Sequence, residues 1–184
     1  MNIVLVVTGG IAAYKSCEAA SAAVKGGHEV RVVMTPSATN FVGPLTFEAL
    51  TKSPVMLETF GANNGDSAPG IDHIEWAKWA DVVCIAPATA NFIGKLACGL
   101  ADCAASTLLM AIPIGVPVAI APAMNTQMWF HPVVQRNLGW LQALDRYTII
   151  APVDKRLACG DTGMGGLASP EDILKTVSEL GSKS

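Results

Sequence analysis

The stretch Ile3-Val4-Leu5-Val6-Val7-Thr8-Gly9-Gly10-Ile11-Ala12-Ala13-Tyr14-Lys15 decides the fold. Its first five residues are apolar without interruption and mostly β-branched. A strand that alternates apolar and polar residues has one wet face; an unbroken run is buried on both, as parallel strands are. Gly9-Gly10 ends the run in a sharp turn, and Ala12 to Lys25, built of mostly small residues, reads as a helix closed by Gly26-Gly27. The free N–H groups at the start of that helix would point back at the turn and favour an anion there. The loop has neither the GxGxxG spacing of dinucleotide folds nor the GxxxxGKS/T of a P-loop, so NAD and ATP are not implied. Taken alone, a plain tight turn explains it equally well.

The same alternation continues outward. Glu29–Met34 reads as a strand, Pro44–Thr51 as a helix, and Val82–Ala86 as a strand stopped by Pro87. A helix follows from Phe92 to about Ala111, then strands at Val116–Ala121 and Tyr147–Ala151. Pro170–Leu180 is the closing helix, with Ser169 as its cap and Pro170 at its first position. Continuous apolar strands separated by helices predict an α/β fold: a single doubly wound, Rossmann- or flavodoxin-like domain over residues 1–184, with a central parallel sheet. Such sheets bind ligands beyond the carboxyl ends of their strands, so the residues that follow each strand are the candidates for function.

Composition narrows the classes. Hydrophobic residues make up 51% and charged residues 15% of the chain, and residues 104–134 contain no Asp, Glu, Lys or Arg. A membrane helix would need roughly 20 residues of unbroken internal hydrogen bonding. Pro113, Gly115, Pro117 and Pro122 interrupt this stretch, so a buried helix, a loop and a buried strand are expected instead. A net charge of −3 leaves no basic footprint for nucleic acid. Met1-Asn2 runs straight into the first strand without a basic region or cleavage site, so no signal peptide is expected. The five cysteines, at 17, 84, 98, 103 and 159, are odd in number and scattered, with no CxxC pair. That predicts no disulfide framework, no metal site and a cytoplasmic location, with most thiols serving as buried small hydrophobes and Cys159 as the exception.

Three further loops carry polar groups. Thr35-Pro36-Ser37-Ala38-Thr39 places three hydroxyls at a helix start, where they would cap it or bind a phosphate. Adjacent strands would set this loop beside Gly9-Gly10, which points to a phosphate-bearing cofactor. Ala86-Pro87-Ala88-Thr89-Ala90-Asn91-Phe92 combines small residues, which admit a flat ring, with a hydroxyl and an amide that can bond it. Ala121-Pro122-Ala123-Met124-Asn125-Thr126-Gln127-Met128-Trp129 ends a buried strand on a neutral amide. Asn125 there would either cap a turn or orient a carboxylate without adding charge. The Met and Trp side chains are equally those of a packed core.

Together these loops carry a resemblance. Pro87 to Phe92 looks like the PASANT motif, and Pro122 to Trp129 matches the PXMNXXMW motif, of the homo-oligomeric flavin-containing cysteine decarboxylases. The chain also resembles that family in Gly9 to Ser16, Thr35 to Ala38, Asp72-His73-Ile74-Glu75-Trp76 and Lys155-Arg156-Leu157-Ala158-Cys159-Gly160-Asp161. The resemblance implies FMN, held by Gly9, Gly10, Ile11, Ala12, Thr35 and Ser37, with Thr89, Ala90, Asn91 and Phe92 around the ring and Ala123 in the same pocket. It makes His73 the active-site histidine and Cys159 a late proton donor. Asn125 and Met128 would meet the substrate, the amide taking its carboxylate, and Arg156, Leu157 and Ala158 would form part of a mobile clamp over residues 155–169. It also implies a homotrimer or homododecamer, with the flavin near a subunit boundary.

The implied reaction is loss of CO2 from a terminal cysteine carboxylate. A plain cysteine carboxylate gives no stabilised carbanion, whereas oxidising its Cβ–S bond to a thioaldehyde creates an electron sink, which is work for a flavin. Histidine as a residue type is suited to acid–base work near neutral pH, which makes His73 a candidate, although a histidine at a helix start is by itself more simply an exposed one. Cys159 stands equally as a chance loop thiol. The leading substrate is 4′-phospho-N-pantothenoylcysteine, giving 4′-phosphopantetheine in coenzyme A biosynthesis. Phe92 stands where PASANT has Thr, and Leu167 and Ser169 stand where the pantothenoyl enzymes carry a methionine and an acidic residue. These departures keep a second substrate open, a precursor peptide ending in cysteine. A non-catalytic regulatory flavoprotein ranks last, because the chain ends four residues past Leu180 without an acidic tail.

Overall fold

The computed structural model describes residues 1–59, 72–156 and 162–182. Six strands, β1 (Asn2–Val7), β2 (Glu29–Met34), β3 (Val55–Met56), β4 (Val82–Ala88), β5 (Val118–Pro122) and β6 (Tyr147–Ile149), form one parallel sheet in the order β3-β2-β1-β4-β5-β6. Strand order reverses between β1 and β4, which defines the doubly wound topology and its switch point. The helices are α1 (Ala13–Lys25), α2 (Pro44–Thr51), α3 (Asp72–Trp79), α4 (Ala90–Ala97), α5 (Ala104–Ala111), α6 (Thr126–Trp129), α7 (Pro132–Gln142) and α8 (Pro170–Gly181). A separate antiparallel hairpin joins β7 (Val153–Arg156) to β8 (Thr162–Gly166).

The unbroken apolar runs behave as their pattern requires. Successive strand residues point to opposite faces, and both faces are covered. Val4, Val6, Val83, Ile85, Val118 and Ile120 pack on Trp76, Phe92, Leu108 and Leu138 from α3, α4, α5 and α7. Ile3, Leu5, Val7, Val82, Cys84 and Ala119 pack on Ala20, Phe47, Ile173 and Val177 from α1, α2 and α8. Each large aliphatic side chain so buried contributes about 1.5–3 kcal/mol. The small residues of α1 let it lie close to the sheet, where Ser16 Oγ donates to the Ala86 carbonyl at 2.6 Å. Ser169 caps α8 as expected, accepting from the Asp172 N–H at 3.1 Å.

Several expectations are corrected. The helix expected from Phe92 to Ala111 is two helices: the chain leaves α4 through Gly99, at φ +68, and restarts at the Cys103 cap of α5. Strand β4 continues past Pro87 to Ala88, because Pro87 falls in a register shift between Ile85 and Ala88, where a residue lacking an N–H is tolerated. Strand β5 begins at Val118, two residues late, since the Val116 N–H closes a turn onto the Pro113 carbonyl. Strands β3, β7 and β8 were not expected. Of the four described thiols only Cys84 is buried; Cys17 and Cys103 are half-buried and Cys98 is exposed, so most are not core residues.

Candidate active site

The switch point is tied together by hydroxyls. Thr8, at the end of β1 and 1% exposed, donates from Oγ1 to the Pro87 carbonyl at 2.6 Å and accepts from the Thr89 N–H at 3.1 Å. Thr89 Oγ1 in turn accepts from the Phe92 N–H at 3.3 Å and caps α4. Gly9 has no room for a side chain: a Cβ there would lie 2.3 Å from Ser37 Cβ and 2.8 Å from its carbonyl carbon. The first two loops therefore touch, as adjacent parallel strands dictate.

Two cavities open beyond these strand ends. The first, about 580 Å³, is lined by Gly9, Thr35, Ser37, Thr89, Ala90, Asn91, Phe92, Ala123 and Met128 among others. The second, about 570 Å³, is lined by Gly10, Ile11, Ala12, Asn125, Lys155 and Leu167 among others. Ala123 and Met124 wall both. The residues expected around one cofactor are thus divided: eight reach the first cavity, while Gly10, Ile11 and Ala12 face the second and share only Ala123 with it. Thr35 Oγ1 is buried without a partner among the described residues. A buried hydroxyl in that state costs about 1–3 kcal/mol, and a ligand with polar oxygens or ring nitrogens in the first cavity would satisfy it. The residues fit a flavin nucleotide on that ground.

Of the two roles the sequence left open for Asn125, the structure shows the cap. Its Oδ1 accepts from the Met128 N–H at 2.8 Å and caps α6, while its amide faces the second cavity. The β7–β8 hairpin closes over this motif through glycines. The Met124 N–H donates to the Gly165 carbonyl at 2.9 Å. Gly165 sits at φ +131, and a Cβ there would meet the Met124 carbonyl oxygen at 2.2 Å. Leu167, 2% exposed, packs into the core as well as lining the second cavity. Ser169 is engaged in capping α8.

His73, on the first turn of α3, lines neither cavity. It is half-buried rather than exposed, with Nδ1 buried and unpartnered among the described residues. Its helix is braced on β2 by Arg31, whose guanidinium lies 4.2 Å from the Trp79 ring centre and 5.4 Å from that of Trp76. Arg156 ends β7, and its side chain lies outside the described residues, as do Leu157, Ala158 and Cys159. Sequence reasoning gave no role to Lys15 or Lys95, took Asp102 as a capping or surface group and placed Lys155 only as the start of the clamp, yet all four line a cavity. Their signal was available: in a chain with so few charges, a lysine beside a strand-end loop is conspicuous.

A doubly wound sheet with a hydroxyl-lined cavity at its switch point defines a cofactor-binding α/β protein. The chain belongs to the Flavoprotein family, whose profile matches residues 1–181. It is 49% identical to the coenzyme A biosynthesis bifunctional protein CoaBC of Bacillus subtilis, over 95% of this chain and 41% of that protein. It thus spans about two fifths of that longer relative. It is 40% identical to a probable phosphopantothenoylcysteine decarboxylase of Streptococcus mutans, over 97% of both chains. Among solved structures, a Cys-to-Ser variant of a PPC decarboxylase complexed with pantothenoylaminoethenethiol superposes with a TM-score of 0.83 at 35% identity, covering 100% of this chain and 98% of that one. The FMN binding protein AtHal3 follows with a TM-score of 0.80 at 36% identity, covering 100% and 97%.

Proposed function

We propose that this chain is an FMN-dependent decarboxylase of a terminal cysteine carboxylate, acting on 4′-phospho-N-pantothenoylcysteine to give 4′-phosphopantetheine. The observation that carries it is the pair of cavities sharing Ala123 and Met124 as a wall; on this reading the first would take the cofactor and the second, with Asn125, the substrate. Gly9, Thr35, Ser37, Thr89, Ala90, Asn91, Phe92 and Ala123 would hold FMN, with Gly10, Ile11 and Ala12 on the substrate side of that wall. When bound, the flavin supplies the two-electron chemistry that turns the Cβ–S bond into an electron sink and later restores it.

The chain's own residues then have the following work. The Asn125 amide holds the substrate carboxylate by neutral donors, which fix its direction without stabilising its charge as a cation would. Met128 lines the first cavity one helical turn from Asn125 and flanks the reacting end. His73 moves the thiol proton. Since it lines neither cavity of its own chain, that role requires α3 of a second copy, which supports a homotrimer or a homododecamer of trimers. Ile11, Tyr14, Phe130 and Trp140, large and exposed, supply apolar surface for such contacts. Arg156, Leu157 and Ala158 close the clamp, and Cys159 returns a proton to carbon in forming a saturated thiol. Among the described residues no helix is long and apolar enough to cross a membrane; a cytoplasmic location is part of the same proposal.

The packing of Leu167 and the cap made by Ser169 give both clamp departures a structural duty, so they do not favour a peptide substrate. The test is anaerobic: purified yellow protein with 4′-phospho-N-pantothenoylcysteine, following flavin absorbance and product mass. Net loss of CO2 alone is expected. Loss of CO2 plus two hydrogens from a peptide ending in cysteine, with no reaction on the small substrate, would move the assignment to a peptide decarboxylase. Full turnover by His73→Asn would remove histidine from the mechanism.

A further inference from the structure

The second cavity brings together two cations that the mechanism above does not use. Lys15, on the first turn of α1, and Lys155, on β7, both line it. Lys155 Nζ donates to the Leu167 carbonyl at 3.2 Å, and Lys15 shares the same cavity wall, near enough to act on its charge. The Lys155 stem lies across Gly166, where a Cβ would stand 2.2 Å from Cε and 2.7 Å from Cγ. A side chain at 166 would therefore displace the Lys155 stem from its present path. Among the described residues that line this cavity there is no Asp or Glu.

Two like charges set side by side at a partly buried wall repel one another. Desolvation, reinforced by Lys15, pushes the Lys155 ammonium down to about 8. An arrangement that costs stability in the empty protein is offset by a ligand of opposite charge. A carboxylate brings one charge; a phosphate monoester brings nearly two at neutral pH and three acceptor oxygens, enough for both ammonium groups. Lysine serves in such sites as a point charge.

We propose that Lys15 and Lys155 form a receptor for a phosphate monoester dianion carried by the substrate, an assignment that rests on the cysteine-decarboxylase reading above. The substrate rather than the flavin is the source because Asn125 shares this cavity's wall, whereas Thr35 and Ser37 line the other. The receptor selects phosphorylated pantothenoyl compounds over peptides, which offer a carboxylate but no terminal dianion.

Calorimetric titration of the FMN-loaded protein with 4′-phosphopantetheine and with pantetheine tests this. The phosphorylated compound is expected to bind about tenfold more tightly or better. Lys15→Gln and Lys155→Gln each bring that ratio toward one, and Lys155→Arg keeps most of it. Flavin content of the purified variants, read from visible absorbance, stays at the wild-type level. Equal affinities in the wild-type protein overturn the receptor, a measurement that needs no variant to fold. So does a ratio that survives both Gln substitutions. Loss of flavin with the ratio intact assigns the pair to the flavin's own phosphate and likewise overturns it. A protein that prefers 4′-phosphopantetheine yet leaves phosphopantothenoylcysteine intact supports the receptor and sinks the activity; turnover with a ratio of one does the reverse.

Discussion

The two cavities differ in what holds their walls. The first is built from strand ends of the central sheet, locked by Thr8 and Thr89 to backbone groups of β4 and α4. The second borrows one wall from those strands and the other from the β7–β8 hairpin, which is not hydrogen-bonded into the sheet. On the proposed assignment, cofactor binding would be tied to the stability of the fold itself, and substrate selection would rest on a docked accessory that can change while the sheet stays as it is.

That contrast breaks most cleanly at two glycines. Gly9→Ala drives a Cβ against Ser37 at 2.3 Å and into its backbone, at about 1–3 kcal/mol for overpacking, and is expected to strip flavin from the purified protein. Gly165→Ala combines a positive φ with a 2.2 Å approach to the Met124 carbonyl, at about 1–3 kcal/mol for backbone strain. It is expected to keep the flavin and lose turnover as the hairpin lifts. Flavin content and kcat/KM measured on both variants decide it; if each loses flavin and activity together, the two walls are one unit.

A smaller effect is expected from Thr8→Val, which orphans the Pro87 carbonyl and the Thr89 N–H at a buried site. About 1–3 kcal/mol of stability should be lost, read as a lower denaturant midpoint, with flavin release quickened and the preference between phosphorylated and unphosphorylated ligands unchanged.

The sheet can also be probed by pH. Burial pushes the Cys84 thiol from its ordinary 9.0 up to about 12. Between those values the unfolded chain has released a proton that the folded chain keeps, so this contribution is complete below the lower value and falls as pH rises. Stability is expected to drop over that range, and Cys84→Ala should flatten the slope. An unaltered slope in the variant would place the loss elsewhere. The least effect belongs to Asp102→Asn at the first cavity's rim. The Lys95 ammonium, 2.6 Å away, holds the Asp102 carboxyl below its usual range, but the pair is open to solvent and screened. Tm should stay within error, and a clear fall would show that the α4–α5 junction matters more than its exposure suggests.

The sheet was legible because its signal is local: β1, β4 and β5 are continuous apolar runs, and β2 is one broken only by Arg31. Strand β3, with two residues, has no period to read. The break at Gly99 was hidden because α4, the junction and α5 share one apolar, small-residue composition. Residues 162–166, Thr-Gly-Met-Gly-Gly, have low strand propensity, and their pairing comes from docking on Met124 instead. At the site, the hydroxyls and amides read from the strand-end loops, Thr35, Ser37, Thr89, Asn91 and Asn125, all line one or other cavity. The division into two cavities was not readable, nor was the meeting of Lys15 with Lys155, because both depend on where the hairpin folds back. That His73 lines neither cavity likewise depends on where α3 packs in the fold, outside the reach of spacing along the chain.

Ala123 and Met124, which face both cavities, have a practical consequence for anyone handling this protein. On the proposed assignment, a ligand entering the second cavity would press on side chains that also border the flavin in the first. Occupancy by a colourless ligand is then expected to shift the visible absorbance, so that the protein could report its own titration without a label.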